Sequence, residues 1–65
     1  MGVNQVQVDR EKFYSVIGPL DVCLFSKIKI ENRREVITTT FKLRHSDKEI
    51  GRVVNGIYFL HDEVA

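Results

Sequence analysis

Three adjacent residues, His45, Ser46 and Asp47, carry the side-chain types of a hydrolase triad. A catalytic triad needs the imidazole between the hydroxyl and the carboxylate, and neighbours within one tight turn cannot adopt that relay. Ser and Asp are also ordinary turn formers. The pattern therefore predicts a turn over residues 45–48 and not a hydrolase site.

The other candidate for chemistry is the single cysteine, Cys23, with His45 or His61 as a base. A thiol–imidazole pair needs a third group that orients the base, and no such group is evident in the sequence. One cysteine and two distant histidines are also too few for a metal site with three or four ligands. We therefore expect a protein that is not an enzyme and that has no catalytic residues, metal or cofactor.

Length and charge narrow the class of protein. The 65 residues predict a single small domain over 1–65. Ten basic and nine acidic residues give a formal net charge of +1, whereas dedicated sequence-independent nucleic-acid binders are usually much more basic.

No apolar run approaches the ~20 residues that span a bilayer. An unpaired cysteine is typical of a reducing compartment. We expect a cytoplasmic protein without a membrane partner.

Residues 9–18 have the pattern of a short helix. Asp9 is a favourable N-cap residue. The helix would present one apolar face, formed by Phe13, Val16 and Ile17. Gly18 predicts a C-terminal end in the left-handed conformation. So short a helix is marginal in water alone, so it must pack on the rest of the chain.

From Asp21 onward the apolar period changes to two, which predicts β-strands. A two-residue turn at Asn32-Arg33 would set Ile28 opposite Ile37. The same register pairs the other inward residues, Leu24 with Phe41 and Val22 with Leu43. Because a slip by one residue would turn every apolar side chain to the wrong side, this register is the expected one.

The second half of the sheet contains a break in the alternation and a strong turn signal. A bulge at Gly51 would restore the alternation. Asn55-Gly56 favours a type I′ hairpin, since both positions need positive φ. The apolar run after it leaves its facing open. If the bulge is present, Tyr58 points inward, whereas Ile57 and Phe59 point outward.

These elements predict an α+β domain, with the short N-terminal helix packed on a four-stranded antiparallel β-meander over residues 21–61. An SH3-like partly closed barrel is the alternative. Residues 1–8 alternate apolar and polar positions, which fits either a loose arm or an edge strand. We take them as an arm, because termini fray unless they are anchored.

The sheet face opposite the helix is the one surface that suggests a function. The acidic residues gather at turns and at the C-terminus, so we expect no acid in the middle of this face. Its candidate partner-binding residues are Phe25, Lys27, Lys29, Lys42, Arg44, Arg52 and Phe59, with Tyr58 as the alternative aromatic of the last strand.

A cationic face with aromatic residues fits two kinds of partner. Aromatic and arginine side chains are common anchors of protein interfaces, and lysines with aromatics also bind phosphates and bases. A solvated sheet surface is the third interpretation. We favour a protein partner, with a second copy of the chain as one candidate. The function expected is that of a small regulatory module, for example an inhibitor of the phage or mobile-element type, with nucleic-acid binding as the alternative.

Overall fold

A computed structural model describes residues 4–65, which form one helix and one antiparallel sheet. The elements in chain order are β1 (Gln5–Val8), α1 (Arg10–Ile17), β2 (Val22–Glu31), β3 (Arg34–Leu43), β4 (Glu49–Val54) and β5 (Ile57–His61). The strand order across the sheet is β1-β5-β4-β3-β2. The domain is therefore α+β and rich in sheet, with β1 and β2 as its two edges.

The prediction of four strands is wrong, because the N-terminal segment forms a fifth. Residues 5–8 pair with β5 in antiparallel register, with Val6 opposite Leu60 and Val8 opposite Tyr58. The N–H of Asp62 donates to the carbonyl of Asn4 at 2.9 Å and extends this pairing. Residues 1–3 of the expected arm lie outside the described residues. The sheet is open, with β1 and β2 at opposite edges, so it is not the partly closed barrel.

The helix begins as the sequence predicts and ends differently. The side chain of Asp9 accepts a hydrogen bond from the N–H of Lys12 at 2.7 Å, as an N-cap does. At the other end Gly18 is right-handed, with φ −52° and ψ −44°. Its N–H donates to the carbonyl of Tyr14 at 2.8 Å, so the helical hydrogen bonding simply continues through Gly18. The expected left-handed end is therefore wrong.

The core is small and lies where α1 crosses the middle of the sheet. Its buried apolar residues are Phe13, Ile17, Phe41, Ile50 and Leu60. The Phe13 ring packs edge-on against Phe41, with the ring centres 5.0 Å apart. A Cβ at Gly51 would lie 3.0 Å from the Phe13 ring, so the helix approaches the sheet closely over this glycine.

The first hairpin has the predicted register. Asn32 and Arg33 both have positive φ, 49° and 65°, which closes β2 and β3 with a two-residue turn. Ile28 lies opposite Ile37, as predicted. The pairs Leu24–Phe41 and Val22–Leu43 are also confirmed.

The bulge falls within one residue of its expected place. Lys42 pairs with Glu49, whereas Phe41 pairs with Gly51, so Ile50 is the extra residue. The Asn55-Gly56 turn is confirmed, with φ values of 47° and 82°.

The bulge sets the facing of the last strand. Tyr58 lies opposite Val53 and points toward α1, with its ring 5.1 Å from that of Phe13. Phe59 lies opposite Arg52 on the other side of the sheet. We call the side covered by α1 the helix face and the opposite side, which carries Lys27, Lys42 and Arg52, the open face.

Candidate functional site: the open face of the sheet

The structure brings together six of the eight predicted partner-binding residues. Phe25, Lys27 and Lys29 of β2 alternate along one side of the strand, and the register places Lys42, Arg52 and Phe59 of the next three strands on that side as well. A shallow groove of about 700 Å³ runs over this face. The residues that line it are Phe25, Lys27, Lys29, Thr38, Thr40, Lys42, Glu49 and Arg52, together with Ile28 at the β2 edge, which the register places on the helix face.

Phe25 is the aromatic residue of the groove, and about half of it is exposed, 51%. The ammonium nitrogen of Lys42 lies 5.5 Å from the centre of its ring, within the range of a cation–π contact. This contact holds one lysine against the aromatic surface. The two side chains together offer a partner an apolar plane with a positive charge beside it.

Two lysines of the groove, Lys29 and Lys42, have acidic neighbours only at long distances. Lys29 lies 3.8 Å from Glu31, and Lys42 lies 3.9 Å from Asp47. Both distances are long, and exposed pairs of this kind contribute little to stability. The ammonium groups thus keep most of their capacity to bind an anionic group.

Arg52, in contrast, is already bound within the chain. Its Nη2 lies 2.8 Å from each carboxylate oxygen of Glu49. The expectation of no acid in the middle of this face is therefore wrong. Glu49 comes onto the open face because the bulge pairs it with Lys42. The groove consequently has a cationic end along β2 and β3 and a neutralised end at β4.

Glu49 is the centre of a polar cluster that sequence reasoning missed. Nε2 of His61 lies 2.8 Å from Oε2 of Glu49, and Nε2 of Gln5 lies 3.3 Å from the same oxygen. Because a carboxylate only accepts, Nε2 of His61 carries the proton. Burial raises the pKa of Glu49, but hydrogen bonds from Arg52 and His61 outweigh it, so this pKa lies below its ordinary value of 4.5.

The cluster could not be recognised from residue spacing. Its members come from three strands, and the bulge decides that they share one face. His61 is buried, and its Nδ1 has no hydrogen-bond partner among the described residues. The one signal was the unusual placement of a histidine at the end of an apolar strand. We assign the cluster to holding β1, β4 and β5 together.

Two predicted partner-binding residues lie elsewhere. Arg44 follows the last residue of β3, and its Nε donates to Asp21 at 2.9 Å. That hydrogen bond raises the pKa of the Arg44 guanidinium above its ordinary value. Tyr58 lies on the helix face, with its ring 5.9 Å from that of Tyr14. Neither residue forms part of the groove.

The residues first considered for catalysis lie in an exposed turn and on two strands that are not neighbours. His45 and Ser46 are exposed in the turn after β3, and Nε2 of His45 lies 3.5 Å from Asp21. Cys23 on β2 and His61 on β5 are separated by two strands. Within residues 4–65, no group of three or more His, Cys, Asp or Glu side chains could hold a metal ion.

The helix face also departs from expectation at the β2 edge. Its apolar side chains were expected to be covered, but Leu24, Ile28 and Ile30 are 58%, 69% and 74% exposed. We call these three residues the β2 apolar row. The helix covers the sheet only around Phe41, Ile50 and Leu60 and leaves this row uncovered.

Comparison with family models, curated proteins and solved structures finds no match to this chain. Across the described part of the chain, no helix is both long enough and apolar enough to cross a membrane.

Proposed function

We propose that this protein is a non-catalytic binding module that captures a larger protein through the open face of its sheet. The observation that carries the proposal is the groove, in which an exposed Phe25 lies among Lys27, Lys29 and Lys42. Exposed aromatic side chains are enriched at protein interfaces and often anchor them, and charged groups around an anchor select a partner of complementary charge.

The charges of the groove indicate the chemistry of the partner. The β2–β3 end is cationic, whereas Arg52 is neutralised by Glu49 at the β4 end. A matching surface would place carboxylates over the three lysines and an apolar side chain over Phe25. A partner segment in which acidic residues flank an aromatic or aliphatic residue would match the groove in this way.

Regulation by occlusion is the mode of action that suits such a module. A domain of 65 residues that binds a larger protein can block a site on it without doing chemistry. We therefore propose an inhibitor, of the kind that phages and mobile elements direct at host or defence proteins. The exposed Phe25 and the three lysines of the groove, which could bind a partner without chemistry, support this choice.

The test is a charge reversal on the open face. The triple variant Lys27→Glu, Lys29→Glu and Lys42→Glu should lose the partner, whereas the wild type captures it from the native host. The matched control, Arg10→Glu, Lys12→Glu and Lys48→Glu, makes the same change in net charge away from the groove and should capture the partner as the wild type does. Equal capture by both variants would contradict the proposal.

Nucleic acid is the competing ligand for the same lysines. Phosphate contacts weaken steeply as salt rises, so a titration with a single-stranded oligonucleotide at low and at physiological salt separates the two. We expect no binding at physiological salt, because three lysines beside a neutralised arginine form a small phosphate-binding surface. Tight binding there, abolished by the triple reversal, would replace the protein partner with a nucleic acid.

A further inference from the structure

The β2 strand is an unpaired edge of unusual length for so small a sheet. It has ten residues, and β3 covers only one side of it. Long, uncovered edge strands with apolar side chains readily pair with another strand. The β2 apolar row adds an exposed hydrophobic surface to the same edge.

The backbone groups that face this edge can be identified. Both the N–H and the carbonyl of Ile37 bond to Asn55, at 2.8 and 3.0 Å, so they point away from β2. Ile37 lies opposite Ile28, which makes this a non-hydrogen-bonded pair of the β2–β3 ladder. It follows that the even-numbered residues of β2 direct their N–H and carbonyl groups to the open edge.

The side chains of β2 have a symmetry that suits pairing with an identical strand. On the helix face, two apolar residues lie on each side of Ser26. They are Val22 and Leu24 before it and Ile28 and Ile30 after it. On the open face, the order Cys23, Phe25, Lys27, Lys29 has its uncharged half on one side of Ser26 and its cationic half on the other. A twofold axis at Ser26 would thus match apolar with apolar residues and set each lysine against an uncharged residue.

We propose that a second copy of this chain pairs antiparallel along β2, with Ser26 on the twofold axis. Leu24 then lies opposite Ile28 of the second copy, and Val22 lies opposite Ile30. On the open face, Phe25 lies opposite Lys27 of the second copy, in reach of a cation–π contact. The pairing covers Val22 through Ile30, nearly the whole strand.

Neighbouring registers fit less well. An axis at Lys27 sets Lys27 against its own copy in a close pair, with Cα atoms about 4.5 Å apart. An axis at Ile28 sets Lys27 against Lys29 twice, and like charges directly opposite destabilise a sheet. An axis at Phe25 places Ile30 against Leu20, which lies outside the strand.

The resulting dimer is closed and compatible with the proposed function. The two β2 strands pair with each other at the twofold axis. The edges that remain free are the two β1 strands, each only four residues long. The two open faces then form one continuous surface, with the two grooves side by side. The dimer does not depend on the larger partner, so its test is independent of the capture experiment.

Sedimentation of the purified chain tests the dimer first. We expect the mass to rise from 7.6 kDa toward twice that value between micromolar and millimolar concentration. Ile28→Lys should keep the chain monomeric throughout this range while the circular dichroism stays that of the wild type, since the Ile28 side chain is mostly exposed. Ile57→Lys, the same change on an exposed residue of β5, should dimerise normally.

A thiol placed at position 29 tests the register. Position 29 lies opposite the native Cys23 of the second copy, so Lys29→Cys should give a disulfide-linked dimer on mild oxidation, with Cys23 in the bond. The two thiols of one copy lie on the same strand, six residues apart, and cannot bond to each other. Lys27→Cys, whose opposite residue is Phe25, should cross-link much less. A wild-type monomer at millimolar concentration, or equal cross-linking of both variants, would overturn the proposal.

Discussion

At the scale of single residues, Glu49 makes more side-chain hydrogen bonds than any other polar side chain in residues 4–65. Its carboxylate accepts from Arg52, His61 and Gln5, which come from three strands. Removing one member of such a cluster leaves the others partly buried without a charged partner. The role we assign to Glu49 is therefore structural, although it borders the groove.

Glu49→Gln should lower the free energy of unfolding at neutral pH by about 1–3 kcal/mol, because the amide cannot replace both charge-assisted hydrogen bonds. Urea unfolding followed by circular dichroism measures the difference. Thr38→Ala, a change in the groove away from the cluster, should cost much less.

The lowered pKa of Glu49 also predicts how stability depends on pH. A depressed pKa in the folded state means that the contribution is complete above the unfolded value of 4.5 and is lost as pH falls through the folded value. The unfolding curves of the wild type and Glu49→Gln should therefore converge on acidification. A difference that stays constant down to the lowest pH would show that the charge of Glu49 contributes nothing.

At the scale of elements, the contact between α1 and the sheet depends on a glycine. A Cβ at Gly51 would lie 3.0 Å from both the Phe13 ring and the carbonyl oxygen of Phe59. Gly51→Ala should therefore destabilise the fold by about 1–3 kcal/mol, the usual cost of overpacking. Combining it with Phe13→Leu should cost less than the sum of the two single changes, because the smaller side chain makes room. Strict additivity would contradict this account.

The β2–β3 turn holds a residue in an unfavourable conformation. Arg33 has a φ of 65°, in the left-handed region that favours glycine. Arg33→Gly should raise the free energy of unfolding by about 0.5–1 kcal/mol, since the relief of strain exceeds the entropic cost of the glycine. Arg34→Gly, one residue later within β3, should have the opposite sign, and thermal unfolding of both variants is the check.

The elements also show where the sequence was sufficient for prediction. The Asp9 cap, the Asn55-Gly56 turn and the register of Ile28 with Ile37 each depend on neighbouring residues, and all three are confirmed. The fifth strand could not be predicted in the same way. Its partner is β5, at the other end of the chain, so its stability comes from a pairing that local pattern does not contain.

At the scale of the whole molecule, the coverage of the sheet by one short helix decides what remains exposed. Alternation correctly predicted which side chains of β2 share a face, but it could not show that eight helical residues cover only the centre of that face. Alternation also predicted which side chains form the open face, but the charges on that face differ from the expectation. One bulge brought Glu49 onto it and neutralised Arg52.

If the open face binds the partner, the affinity should depend on Phe25 and not on a similarly exposed aromatic residue elsewhere. Phe25 and Tyr14 are similarly exposed aromatics, 51% and 46%, but Phe25 lies in the groove and Tyr14 lies on α1. The measurement is the dissociation constant of the purified partner for Phe25→Ala and for Tyr14→Ala. We predict a loss of about 30-fold, the roughly 2 kcal/mol of an interface hot spot, for Phe25→Ala and wild-type affinity for Tyr14→Ala. Unchanged affinity for Phe25→Ala, with a loss for Tyr14→Ala, would contradict binding through the open face.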